Sequence, residues 1–135
     1  MNRMLKIEHA VSEVLARSEM NGVYRLSKSV SGLLPVLDGR ALGDKHALLV
    51  ALGGTFDFPD YYGANWDALE ECLSDLSWYS GPICLLIDHA DAIPASLMKT
   101  LLEIFSHAAE QWAGEGRVCS LFLHGLENAE IPLLA

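Results

Sequence analysis

The chain has 135 residues, which is the size of a single domain. It carries 9 Lys and Arg residues against 18 Asp and Glu residues, and a net charge of −9 repels nucleic-acid phosphates and so argues against direct nucleic-acid binding. The sequence has no apolar run long enough to span a bilayer, and its first residues lack the apolar core of a signal peptide, so we expect a cytoplasmic protein without membrane contact.

The first half of the chain predicts four elements: a helix over 5–18, strands over 23–26 and near 36–37, and a helix over 45–54. The turn-prone pair Asn21-Gly22 ends the first helix. Asp44 caps the second helix, and we expect Gly53-Gly54 to end it.

The second half predicts a helix that begins after Asn65, a buried strand in GPICLLID, a long helix from about 95 to 112, and a last strand in RVCSLFLHG. Strands therefore alternate with helices that are long enough for right-handed crossovers. This pattern predicts an α/β fold with a small, mainly parallel sheet of three strands plus an N-terminal fourth, flanked by helices.

The segment PDYYGANWDALEECLSDL, residues 59–76, predicts an amphipathic helix preceded by an aromatic loop. Asn65 is the expected N-cap. The apolar positions follow helical spacing and form one stripe: Leu69, Cys72, Leu73 and Leu76. The opposite side of the helix, here called the anionic face, comprises Asp67, Glu70, Glu71 and Ser74.

A charged stripe is most simply a solvated helix face, but two observations favour a binding surface. Lys and Arg are absent from residues 46–98, so the like-charge pairs that Glu71 makes with Asp67 and Asp75 have no nearby counter-charge in the sequence. Aromatic residues of the kind that anchor interfaces flank the helix, namely Tyr61, Tyr62, Trp66, Trp78 and Tyr79. Together these features indicate a surface for a basic protein partner.

The same segment resembles the loop and second helix of the barstar-type ribonuclease inhibitors. The resemblance extends backward through VLDGRALGDKHALLVALGGTFDF and forward through PICLLID and RVCSLFL, so it covers roughly residues 34–125. It implies a barstar-like fold and a cytoplasmic immunity protein that blocks the active site of a secreted, guanine-preferring ribonuclease of the barnase type. On this interpretation residues 1–135 are a single domain, and an N-terminal extension of about 33 residues lies outside the resemblance.

The resemblance also implies partner-binding residues at matching positions. Tyr61 matches a loop tyrosine, Asn65 and Asp67 match the polar residues that open the helix, and Glu71 stands at a phosphate-mimicking aspartate. Ser74 stands at a contacting threonine. Four positions depart from the family pattern: Glu71 is one methylene longer than the aspartate, Glu70 replaces a contacting tryptophan, Trp66 replaces a leucine, and His107 replaces a contacting glutamate. We include Trp66 and Glu70 in the expected contact surface.

Two other functions are compatible with the sequence. The same fold could bind a different basic protein, for example as an antitoxin. A carboxylate-dependent hydrolase is the less favoured alternative, in which Glu70, Glu71 and Asp75 supply an acid and a base, or the Asp88-His89-Ala90-Asp91 stretch forms a site after a buried strand. Asp88 and Asp91 are more simply explained as turn or cap residues.

We expect no cofactor and no metal, because the five histidines are scattered and the three cysteines share no ligand spacing. Cys72, Cys84 and Cys119 stand in apolar surroundings and are predicted to be buried, reduced thiols. Mutual repulsion between acidic surfaces favours a monomer when the protein is unbound.

Overall fold

The computed structural model describes residues 3–135. Its helices are α1 (Arg3–Ala16), α2 (Lys45–Thr55), α3 (Trp66–Asp75) and α4 (Ala95–Gly114). Its strands are β1 (Gly22–Leu26), β2 (Val36–Asp38), β3 (Ile83–Asp88) and β4 (Cys119–His124). The predicted order of helices and strands is confirmed.

The four strands form one parallel sheet in the order β1-β4-β3-β2. The apolar runs predicted as buried strands are the two central ones, β3 and β4, and their first five residues are all buried. Parallel strands covered on both faces consist of such continuous apolar runs. The predicted α/β class is therefore confirmed, and the sheet is entirely parallel.

Helices cover both faces of the sheet. On one face, α2, α3 and α4 surround alternate residues of the central strands, such as Leu85 and Leu121, in the larger of two apolar clusters. On the other face, α1 covers Leu86 and Phe122 with Ile7, Val11 and Val14. The N-terminal helix thus shields apolar side chains of the central strands from water.

The N-terminal strand extends the sheet, as predicted, and the structure places it beside β4. Asn21, which precedes it, donates through Nδ2 to the carbonyl oxygens of Ala109 (3.1 Å) and Arg117 (2.8 Å) and accepts through Oδ1 from the Cys119 N–H (2.8 Å). The free edge of β1 is covered in turn by residues 132–135, since Arg25 pairs with Leu133. This arrangement protects a strand edge that could otherwise pair with another chain.

The expected end of α2 at Gly53-Gly54 is wrong, because the helix continues to Thr55. Gly53 is needed for a different reason: a Cβ at this position would lie 2.8 Å from the Cε2 atom of Tyr62. The missing side chain makes room for the Tyr62 ring against the helix. A glycine pair that looks like a helix stop is therefore partly a packing site for the loop that leads into α3.

The three cysteines are buried and unpaired, as predicted. Burial raises the pKa of the Cys84 thiol to about 11 and that of the Cys119 thiol to about 12, so both remain protonated at neutral pH. Across residues 3–135, no helix is both long and apolar enough to cross a bilayer.

Candidate functional site

The start of α3 is fixed by its cap. Asn65 has an extended backbone, and its Oδ1 accepts the Ala68 N–H at 2.8 Å, which satisfies one of the backbone donors left free at a helix start. Asp67 stands in the first turn, where the helix dipole favours a carboxylate. The predicted cap and the predicted helix are confirmed.

The two faces of α3 differ sharply in exposure. Leu69, Cys72, Leu73 and Leu76 are each at most 2% exposed and belong to the buried core. Asp67, Glu70 and Glu71 on the anionic face are exposed, as is Asp75 in the last turn. The apolar stripe therefore holds the helix against the core, and the exposed carboxylates are not needed for that packing.

The carboxylates of α3 have no internal counter-charge within the part of the chain that the structure describes. The four ion pairs found there lie elsewhere, for example between Asp38 and Arg40, and none includes Asp67, Glu70, Glu71 or Asp75. Glu71 is separated from Asp67 and from Asp75 by one helical turn each, so like charges adjoin. The result is a surface with a concentrated negative field directed at solvent.

Tyr61 stands beside this surface on the loop before α3, and 71% of it is exposed. Local desolvation, followed by the neighbouring Cys72 thiol and the negative charges of Asp75 and Glu71, raises the pKa of its phenol. The hydroxyl therefore remains a neutral hydrogen-bond donor and acceptor at physiological pH. An exposed aromatic ring with a polar tip next to carboxylates has the chemistry of an interface anchor.

Three of the five aromatic residues that flank the helix make contacts within the chain. Tyr62 donates its hydroxyl to the Leu49 carbonyl at 2.9 Å, and Trp78 donates its indole N–H to the Phe56 carbonyl at 3.0 Å. Tyr79 packs edge-on against the Phe56 ring. These half-buried side chains attach the segments around α3 to the core, and the polar tips of Tyr62 and Trp78 also find internal hydrogen-bond partners.

The remaining predicted contact residues are partly occupied by internal contacts. Trp66 is half-buried, with the Lys45 ammonium 5.9 Å from its ring centroid. Ser74 is half-buried and donates its hydroxyl to the Glu70 carbonyl at 2.8 Å. Because the Asn65 oxygen serves the cap, its amide N–H groups are the part left for a partner. Among the expected contact residues, Glu70 and Glu71 are therefore exposed, whereas Trp66 and Ser74 are half-buried and already make contacts within the chain.

The carboxyl end of α3 is held by residues that the sequence did not single out. Trp112 donates its indole N–H to the Leu73 carbonyl at 2.8 Å, and Gln111 donates to the Ser74 carbonyl at 3.1 Å. Arg117 donates to the carbonyls of Leu76, Tyr79 and Gly81. The donors to Leu73 and Ser74 satisfy carbonyl groups that a helix end leaves unpaired, and Arg117 holds the segment that follows the helix. Their distance along the chain explains why local patterns could not reveal them.

The strand-end residues proposed for a hydrolase are arranged as a turn. Ala90–Ala92 form a short 3₁₀ helix after β3, and Asp91 is exposed. Asp88 lies with its Oδ1 3.3 Å from the His124 Nδ1 at the end of β4, but this buried oxygen accepts no well-aligned hydrogen bond. Among the described residues, no group of three or more His, Cys, Asp or Glu side chains is placed to hold a metal ion.

A family model described as "Barstar (barnase inhibitor)" matches residues 34–124, more than half of the chain. The chain belongs to the barstar family. It is also similar to a protein of Bacillus subtilis (strain 168) whose name is "Putative ribonuclease inhibitor YrdF", with 31% identity over 86 residues that make up 62% of this chain and 92% of that protein. The barstar match contains the loop, α3 and the strands β2, β3 and β4, whereas α1 and β1 precede it.

Proposed function

We propose that this barstar-family chain inhibits a basic, guanine-preferring ribonuclease of the barnase type. In this proposal the anionic face of α3 and Tyr61 enter the active site of the ribonuclease. A ribonuclease active site is a cationic cleft that binds phosphates, and fixed carboxylates can occupy it in the same way. The inhibitor stays in the cytoplasm and protects the cell that makes the enzyme.

The observation that carries the proposal is the exposure of Glu70, Glu71 and Tyr61 without internal cations among the described residues. If cations of the same chain neutralised these carboxylates, no net negative field would remain to attract a basic partner. The family membership and the name of the Bacillus subtilis relative support an inhibitor rather than an enzyme. The barnase and barstar pair is itself the reference case for association steered by charge.

The test is a cleavage assay with a fluorogenic RNA and a purified guanine-preferring ribonuclease. We expect stoichiometric inhibition, and we expect the association rate to fall steeply as ionic strength rises, because screening shortens the reach of exposed charges to about 8 Å at 0.15 M salt. An association rate that does not depend on salt would contradict the electrostatic mechanism. The absence of inhibition would show that the ribonuclease used in the assay is not a partner of this chain.

A second candidate keeps the same face and changes the partner. It is favoured by Glu70, which is exposed where the resemblance places a contacting tryptophan, and by His107, which is exposed on α4 where it places a contacting glutamate. These changes add one negative charge and remove another, so they relocate the charge that a partner must complement. Stable binding to a basic protein without ribonuclease activity, together with no inhibition of guanine-preferring ribonucleases, would support this candidate.

A further inference from the structure

A groove with a volume of about 970 Å³ lies beyond the carboxyl ends of β3 and β4. The first turns of α4 form one wall, and the segment that follows β4 forms the other. This volume is at the upper end of the range of about 300–1,000 Å³ that ligand sites occupy. Neither α3 nor its loop contributes to the lining, so the groove is separate from the anionic face.

The floor of the groove is apolar. Ile93 and Met98 are buried at 4% and 5% exposure, and Leu102 and Leu126 are half-buried beside them. An apolar floor that is open on one side gains free energy when it covers the apolar side chains of another molecule. The groove therefore fits a ligand that presents aliphatic or aromatic groups.

The rim of the groove is strongly acidic. Four exposed carboxylates line it, those of Asp91, Glu103, Glu127 and Glu130, against the single ammonium of Lys99. Arg25 approaches Glu127 at 3.9 Å, but the Glu127 side chain is fully exposed, so this pair neutralises little of the rim. Such a rim repels fatty-acid carboxylates, nucleic-acid phosphates and acidic peptides, and it attracts cations.

We propose that this groove is a second docking site, which binds a short apolar segment of a protein partner in which lysine or arginine residues flank the apolar side chains. The apolar residues lie on the floor, and the basic residues pair with the acidic rim. The charge complementarity excludes a second copy of this acidic chain as the favoured occupant, because the approach of two such rims is repulsive. The lining includes none of the residues proposed to contact the ribonuclease, so this proposal does not rest on the proposed inhibition.

The test uses an end-blocked heptapeptide of alternating lysine and leucine as the probe and follows the backbone amide signals of the ¹⁵N-labelled full chain. We expect saturable shifts at Met98, Leu102 and Leu126, and no shifts with the matched peptide of alternating glutamate and leucine. The double substitution Glu103→Lys and Glu130→Lys should weaken binding about tenfold or more, since it reverses half of the rim carboxylates. The matched control Glu70→Lys reverses a charge on α3 and should leave binding in the groove within about twofold.

Three results would overturn the proposal. They are shifts confined to α3, equal binding of the glutamate peptide, and shifts of the groove signals on raising the concentration of the protein alone, which would identify a second copy as the occupant. The Glu103→Lys and Glu130→Lys protein should still inhibit the ribonuclease like the unmodified chain. A failure of the docking site is thereby distinguished from a failure of the proposed inhibition.

Discussion

Reversing the charge of Glu71 should stabilise the protein. Glu71 adjoins Asp67 and Asp75 at a spacing of four residues, and each like-charge pair of this kind costs about 0.2–0.5 kcal/mol, whereas an opposite pair gains a similar amount. Within the described residues Glu71 has no ion pair to lose. Glu71→Lys should therefore raise the free energy of unfolding by about 1 kcal/mol, mostly through Asp67, because an acid that precedes a lysine in a helix is the better orientation.

The same substitution should abolish most of the proposed inhibition. Replacing an interfacial carboxylate with an ammonium removes an attractive contact and adds repulsion from the cations of the ribonuclease, which together weaken binding by about 3–5 kcal/mol. A substitution that stabilises the fold and destroys binding identifies a residue that is retained for its function rather than for folding.

Two measurements check this prediction. Urea unfolding followed by tryptophan fluorescence should show a higher midpoint with an unchanged denaturant dependence. Inhibition titrations should show the loss of affinity. Glu13→Lys on α1 is the matched control, because it makes the same change in net charge on the opposite face of the sheet and should leave inhibition nearly unchanged. Lower stability of the Glu71→Lys protein, or full inhibition by it, would refute the reasoning.

Three further substitutions test the fold. Leu73→Ala should cost about 2–5 kcal/mol of stability in chemical unfolding, because Leu73 is 1% exposed in the core, and a smaller loss would contradict the packing of α3. Asn21→Ala should cost about 2–4 kcal/mol by the same measurement, because three hydrogen bonds to later parts of the chain are lost, and an unchanged midpoint would show that the N-terminal segment contributes little. Hydrogen bonds from Arg40 lower the pKa of Asp38 to about 2, below its ordinary 3.8, so this pair stabilises the fold above about pH 4 and the contribution is lost as the pH falls through about 2. Asp38→Asn should flatten the pH dependence of the unfolding midpoint in that window, and an unchanged pH profile would contradict the assignment.

The helix at the site was predictable because its determinants are local. Asn65 as the cap, the apolar stripe that includes Leu69 and Leu73, and the carboxylates on the opposite side all fall within eleven residues of sequence, where helical periodicity applies directly. The central strands β3 and β4 were equally predictable from the sequence, since short, mostly apolar runs, such as the five apolar residues that begin β3, are typical of strands covered on both faces.

The supports of the site were not predictable, because they join residues that are far apart in the sequence. The partners Trp112 and Leu73 are separated by 39 positions, and no periodic pattern connects them. The flanking aromatics illustrate the same limit, since composition alone cannot separate an exposed ring such as Tyr61 from a ring such as Tyr62 that packs on Gly53. The groove beside α4 also unites two distant segments, so only the folded chain reveals it.

The way in which α3 is supported explains how it can carry uncompensated charge and remain ordered. The donors at its carboxyl end come from Gln111, Trp112 and Arg117, and all of them bind backbone carbonyls rather than the side chains of Glu71 or Asp75. Arg117 is the only cation among these three residues, and it lies near the negative end of the helix dipole. It offsets that dipole without neutralising the exposed carboxylates. In the proposed complex, a helix whose end is fixed by these hydrogen bonds meets the cationic cleft without refolding, and preorganisation of this kind lowers the free-energy cost of binding.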